Sequence, residues 1–280
     1  VSILKEETNL VNGEIEFNFD ELTAQFASYS VGCMFGRFSL HKEGLILANQ
    51  GETLKDYLAK VGKSESEVSF LPDDDNIIPV LDDEWFEDDI VGRFHNFLKA
   101  SFGEKNFRKN LDFVEECLGK SMRKYFTKDF NKDHIKRYKK RPIYWMFSSP
   151  KGHFNVLVYL HRYTPDTIST ILNSYLREFI EKLNLQMKQL KQVEISGSAS
   201  EQAKARKEMD KLEFMLDDCR EYEEILFELA SERIALDLDD GVLVNYNKMG
   251  KAVANVPGLN DKKAKDKVRK FDWIDTNLIR

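Results

Sequence analysis

Apolar positions along this chain recur at three- and four-residue steps over most of its length, and change to uninterrupted runs in one place. Phe19 to Phe38 carries Leu22, Phe26, Tyr29, Cys33 and Met34 at helical spacing behind Asp20, a suitable N-cap, which predicts a helix. Its small residues (Ala27, Ser28, Ser30, Gly32, Gly36) predict close packing against another element. Thr53 to Val61 predicts a shorter helix, and Ile90 to Phe102 and Asn106 to Leu118 two amphipathic helices joined at Gly103. Lys120 to Lys139 predicts another, which stops before Arg141-Pro142 because the residue ahead of a proline avoids the helical region. There the period changes. Ile143 to Ser148 and Phe154 to Leu160 are apolar, aromatic and β-branched, and flank Ser149-Pro150-Lys151-Gly152-His153: a hairpin with a polar tip. Consecutive apolar residues on one strand imply that both faces are covered, so Tyr144, Trp145 and Phe147 are expected to be mostly buried.

From Pro165 the helical period returns and lengthens. Ile168, Ile171, Leu172, Tyr175, Phe179, Leu183, Met187 and Leu190 predict a helix over Thr167 to Val193, a rod of about 40 Å at about 1.5 Å per residue. Ser196 to Ser200 is a small-residue break, and Glu201 to Leu236 resumes the pattern, so the two helices fold back as an antiparallel pair. Asp239-Asp240-Gly241 predicts a turn, Val242 to Tyr246 a short strand, and Lys262 to Lys270 is a basic patch. The class read from this pattern is α+β, mainly helical: a mixed α/β recognition part with a β-hairpin over 1–163, then a long antiparallel helical hairpin over 164–236. A turn, short strand and basic tail occupy 237–280.

A chain of 280 residues with 42% hydrophobic and 32% charged residues has the composition of a soluble globular protein of one large domain or two smaller ones. No apolar run reaches the length that spans a bilayer, so no membrane contact is expected. Cys33, Cys117 and Cys219 are far apart and lack C-x-x-C spacing, which favours a reducing cytoplasm over a disulfide framework or a zinc knuckle. Val1, with no charged or apolar leader behind it, reads as a cut inside a longer polypeptide.

Charge adds the sharpest feature. Lys120 to Lys151 holds eleven Lys/Arg against Asp129 and Asp133, a local +9 in a chain of net −6, which leaves −15 for the remainder. The segment also carries Tyr125, Phe126, Phe130, Tyr138, Tyr144, Trp145 and Phe147; cations interleaved with flat rings suit a polyanion with stackable bases. The bland alternative is a solvated helix face followed by a buried strand. Asp73 to Asp89 is the counterpart, with nine carboxylates and no Lys or Arg. It reads as a solvated acidic loop or an internal partner for basic helices, since it lacks the glycine and closing Glu of a calcium loop. No metal ligand set is expected. Bond chemistry is not expected either: there is no adjacent proline pair, no phosphate-binding or dinucleotide glycine motif, no H-E-x-x-H and no G-x-S-x-G, so no catalytic residue is assigned. Gly32-x-x-x-Gly36 by itself signals helix packing.

Several stretches together resemble the C-terminal part of the PglX-type adenine-specific DNA methyltransferases of BREX phage-defence systems. They are Tyr29-Ser30-Val31-Gly32-Cys33-Met34-Phe35-Gly36-Arg37-Phe38-Ser39-Leu40, Asp83 to Phe94, Arg137-Tyr138-Lys139-Lys140-Arg141-Pro142-Ile143-Tyr144-Trp145, Phe147 to Gly152, Tyr159 to Tyr163 and Leu238 to Val242. Restriction enzymes with fused methylase and recognition parts carry similar K-R-P-I-Y-W stretches. The resemblance implies a division of labour. An amino-terminal catalytic domain would hold S-adenosylmethionine and flip an adenine for N6 methylation, and the part after it would contribute target recognition and helical packing. No catalytic motif is present here, so no activity carries over to any residue.

On this reading Lys136, Arg137, Lys139, Lys140 and Arg141 would sit on phosphates of double-stranded DNA, and Tyr138, Lys151 and His153 would reach towards bases. The helical pair would space or dock the upstream methyltransferase domain, and further phage-defence subunits are potential partners. The alternative is a protein-interaction scaffold in the same defence complex, with the basic segment meeting an acidic partner. An intact enzyme requires a catalytic domain joined upstream.

Overall fold

The computed structural model describes residues 7–11 and 14–280, and Val1 lies outside them. A ribbon of β1 (Thr8–Val11) and β2 (Glu14–Phe17) leads into α1 (Phe19–Met34), followed by α2 (Leu54–Val61). β3 (Ile77–Pro79) emerges from the acidic stretch, where no strand is predicted from sequence. Next come α3 (Ile90–Phe102), α4 (Phe107–Leu118), α5 (Met122–Tyr125), a π-helical turn (Phe126–Phe130) and α6 (Asn131–Arg137). The hairpin is β4 (Tyr144–Ser148) and β5 (Asn155–Tyr159). α7 (Thr167–Thr170) passes through a π segment (Ile171–Leu176) into α8 (Arg177–Ser196), and α9 (Ala199–Glu232) returns alongside it. α10 (Gly241–Lys248) and α11 (Lys262–Val268) complete a mainly helical α+β fold.

The sheet is antiparallel, ordered β3-β5-β4, with Ile77 opposite Val158 and Trp145 opposite the same residue on the other side. Successive side chains point to opposite faces, and here both faces are packed. Ile78, Tyr144, Met146, Leu157 and Tyr159 face a core built from α1, α3, α4 and the α5–α6 run. Ile77, Trp145, Phe147, Val156 and Val158 face a second core, with α8, α9 and α10. Tyr144, Trp145 and Phe147 are buried as their sequence implies. The outer edge of β4 is covered as well, since the Ala254 amide donates to the Met146 carbonyl at 2.8 Å.

Two carboxylates of the acidic stretch, Asp73 and Asp89, turn inward, while Asp74, Asp75, Asp82, Asp83, Glu84, Glu87 and Asp88 are exposed as in a solvated loop. Asp89 caps α3 by accepting from the Val91 and Gly92 amides (3.0 and 2.8 Å) and also receives Arg123 at 2.6 Å. Asp73, buried, pairs with Arg93, and Asp75 accepts from the Tyr175 hydroxyl at 2.8 Å. Carboxylates with such partners tolerate burial. The internal-partner reading of this stretch therefore holds for Asp73 and Asp89.

One element departs from the sequence pattern. Val242 to Tyr246, expected as a short strand, lies within α10. Its apolar residues lack a clear helical period because the helix is covered on several sides. Tyr246 packs edge-on against Trp145 at 4.9 Å, while Val244 joins Val268 and Ile279 in a separate cluster. Periodicity does not separate a buried strand from a short buried helix.

Candidate nucleic-acid interface

The α5–π–α6 run is amphipathic in the strict sense. Met122, Tyr125, Phe126, Phe130 and His134 are buried on its inner side. Lys124, Lys128, Lys132 and Lys136 are exposed on the outer side at four-residue steps. In a pure α-helix four residues overshoot a turn by about 40°, so such a row drifts around the axis. The π turn at Phe126–Phe130 holds more residues per turn and so reduces that drift. Lys139, Lys140 and Arg141 continue the row as exposed residues of the turn that follows. Lys139 and Lys140 both have left-handed backbone, φ 51° and 61°.

The protein's own carboxylates neutralise only a minority of the segment's cations. Lys120 pairs with Asp129 at 2.7 Å, Arg123 with Asp89, and Arg137 with Glu21 at 2.7 Å. Among the described residues Lys124, Lys128, Lys132, Lys136, Lys139, Lys140, Arg141 and Lys151 make no ion pair and are exposed. Seven of these eight lie on the helix run and the turn after it, not scattered over the body.

The aromatic half of the sequence reading is corrected. Tyr125, Phe126, Phe130, Tyr144, Trp145 and Phe147 are all at most 3% exposed and offer no face for stacking. Tyr138 is the exception, half-buried with its ring 4.5 Å from that of His134. It lines a cleft of about 550 Å³ together with Glu21, Tyr29, Phe38, Lys136 and Lys139. A second cleft of about 580 Å³ lies on the other side of the turn, with Lys139, Lys140, Arg141, His161 and Leu238 among its walls.

His134 fastens this arrangement. Its Nε2 accepts from the backbone amides of Ile143 and Tyr144, both at 3.1 Å, so the end of α6 is tied to the start of β4. Accepting two amide protons requires the neutral ring. Burial, and then the charges of Arg137 and Arg37, push its pKa down to about 3.

The hairpin tip belongs to another part of the molecule. Asp218 of α9, fully buried, accepts from Ser149 Oγ (2.6 Å), the Lys151 amide (2.8 Å), the His153 amide (3.2 Å) and His153 Nδ1 (3.0 Å). Burial alone would raise its pKa; the bonds from Ser149, Lys151 and His153 outweigh that and hold it below the ordinary carboxylate value. His153 is thus committed to Asp218, and Lys151 is exposed beside it. β4, five residues or about 17 Å of strand, separates this tip from Arg141. The structure therefore groups Lys136, Arg137, Tyr138, Lys139, Lys140 and Arg141, and leaves Lys151 and His153 at the far end of the sheet.

Two bacterial proteins align with most of this chain. The adenine-specific methyltransferase BrxX of Escherichia coli O9:H4 (strain HS) is 39% identical over 250 residues, 84% of the chain and 20% of that protein. The adenine-specific methyltransferase PglX of Lacticaseibacillus casei (strain Zhang) is 38% identical over 235 residues, 80% of the chain and 19% of that protein. The chain is homologous to a region of the PglX-type adenine-specific methyltransferases. It spans about a fifth of the length of the curated relatives it matches. No family model matches it. No helix among the described residues of this PglX-type region is long and apolar enough to cross a membrane, and no cluster there could hold a metal ion.

The sequence pattern points to the turn and passes over Lys124, Lys128 and Lys132. A signal for them exists, as one lysine every four residues opposite an apolar stripe. What spacing alone does not supply is the π turn between them.

Proposed function

We propose that this region grips duplex DNA for an adenine-N6 methyltransferase of bacterial phage defence, without itself carrying out the transfer. The observation that carries the reading is the row of exposed cations Lys124, Lys128, Lys132, Lys136, Lys139, Lys140 and Arg141, none of them in an ion pair among the described residues, on a chain whose remainder is net negative. Phosphates attract such a row without regard to base sequence. Phosphate contacts set orientation, and base reading requires groups that reach a groove. Tyr138 and the two clefts that flank the turn are in place for that role.

S-adenosylmethionine and the transfer step are assigned to the remainder of the methyltransferase polypeptide. The glycine-rich and proline-pair motifs are missing from this sequence. The α8–α9 pair supports a second contact. Between Asn184 and Lys211 only Ala205 is fully buried, so the pair extends past the body with Leu185, Val193 and Ile195 exposed. It is the part suited to dock the methyltransferase domain or another defence subunit.

The test is reversal of Lys139, Lys140 and Arg141 to Glu, with duplex binding followed over a range of salt. Affinity should fall, and the log–log salt slope should flatten by about 0.9 for every phosphate no longer neutralised. Unchanged affinity with an unchanged slope rejects the reading. If DNA affinity is absent from the parent chain and a protein partner co-purifies in a salt-sensitive manner, the scaffold reading takes its place.

A further inference from the structure

The basic patch from Lys262 to Lys270 has no part in the lysine row, yet the fold carries it to the turn at which that row stops. It consists of α11 and the two residues after it. Ala264 and Val268 are buried, Val268 in a small cluster with Val244 of α10 and Ile279, so the helix is anchored by one side. Lys262, Lys263, Lys267, Arg269 and Lys270 are exposed, and Lys265 is half-buried. Six cations stand against one acid within the segment, Asp266, which meets Arg269 at 3.8 Å. Among the described residues the five lysines make no ion pair.

The helix itself does not account for these charges. Asp261, the acid ahead of it, is committed to backbone, accepting from the Gly258 amide at 2.6 Å and the Ala264 amide at 2.9 Å. Lys262 and Lys263 stand in the first turn of α11, where cations oppose the helix dipole. They cost the helix a little stability, and a polyanion outside the molecule is what their charge would serve.

The patch meets the turn through a glycine. Gly258 has left-handed backbone, φ +82°, and a Cβ placed on it would stand 3.1 Å from Lys140 Nζ. The missing side chain thus lets the Lys140 ammonium lie against the loop that leads into α11. The cleft of about 580 Å³ is bounded by the same two pieces of chain: Lys139, Lys140 and Arg141 on one wall, Gly258 and Leu259 on another. Two cationic ridges therefore flank one cleft, the first ending at Arg141 and the second beginning at Lys262.

We propose that α11 is a second DNA-contacting element, whose lysines take backbone phosphates beyond the cleft while the lysine row and its turn take those before it. The inference rests on the DNA reading above and extends it from one ridge to two. Backbone contacts on both sides of a cleft fix the orientation of the duplex that crosses it.

The experiment compares three variants of the full 280-residue chain, each losing three exposed cations. They are Lys262→Gln/Lys263→Gln/Lys267→Gln on α11, Lys139→Gln/Lys140→Gln/Arg141→Gln at the turn, and Lys188→Gln/Lys191→Gln/Lys204→Gln on the α8–α9 pair. Binding of a fluorescein-labelled duplex is read by anisotropy over a salt series, with thermal unfolding in parallel. The α11 variant should bind more weakly and flatten the log–log slope by about 1.8 to 2.7, two or three phosphates at about 0.9 each. Its melting temperature should be kept or raised, because the dipole no longer faces cations. The α8–α9 variant should bind like the parent. If the turn variant weakens binding while the α11 variant keeps the parent affinity and slope, the second element is overturned and the DNA reading stands. If neither alters binding, both fail. Equal losses in the α11 and α8–α9 variants also overturn the second element, since net charge and not position would then be at work. Should the triple α11 variant not fold, Lys262→Gln decides alone: a parent slope there removes α11 from the interface.

Discussion

His134 shows how much one side chain contributes. The ring joins the end of the lysine-bearing helix to the central sheet, and it does so only while neutral. Its pKa in the folded chain, about 3, lies below the ordinary value of about 6.5, so between those values the unfolded chain holds more protons. Stability from this group is complete above pH 6.5 or so and is lost as pH falls towards 3, at about 1.4 kcal/mol per unit. Denaturant midpoints measured across that range should therefore decline on acidification. His134→Gln keeps an acceptor and does not titrate, so its decline should be shallower by about that amount per unit. Identical pH profiles for the two proteins would remove His134 from this role. Nothing in the spacing of residues foretells it, since a lone histidine on a basic helix reads as one more cation, and its two amide partners come from a strand that begins beyond Pro142.

Among the elements, the hairpin and the long helices were legible because apolar spacing records burial directly. β4 and β5 appear where uninterrupted runs predict them, and the helical pair breaks at the small residues. α9 begins two residues earlier than expected because Ser198 caps it, with its amide bound to Glu201 Oε2 at 2.7 Å. Less was legible where partners are remote. Ile77 to Pro79 is too short to announce itself among aspartates, and it forms a strand because Val156 to Val158 has a free edge. Tertiary pairing of this kind overrides local composition. The candidate site divides in the same way: its cations were visible and its inward rings were not, because alternation of charge and aromatic residues looks alike whether the rings stack on bases or on a core. Asp218 is the remote partner with the largest consequence, accepting four hydrogen bonds from the hairpin tip. Asp218→Ala leaves those donors buried without an acceptor and should lower stability by about 3 kcal/mol in urea unfolding. Asp218→Asn retains one carbonyl oxygen and should lose less. An unaltered midpoint in the alanine variant would mean that the tip does not depend on α9.

At the scale of the whole molecule, the sheet divides the chain into two ends with different surroundings. The lysine row runs along the helices on one face and ends at the Lys139–Arg141 turn, whereas the hairpin tip is pinned against α9 on the other. A duplex is stiff over the width of a domain of this size, its persistence length being about 500 Å, so it lies along one cationic track and does not wrap both ends without a bend. Lys151 carries the same charge as the lysines of the row and is as exposed, so a total count of cations cannot separate them; position does. Reversal of Lys151 to Glu should leave duplex affinity and salt slope at the parent values. Reversal of Lys128 or Lys132 alone should flatten the slope by about 0.9, the signature of a single phosphate. Equal losses at Lys151 and Lys132 would place the duplex across both ends, and the track drawn here along α5 and α6 would have to be replaced by one that bends around the edge of the sheet.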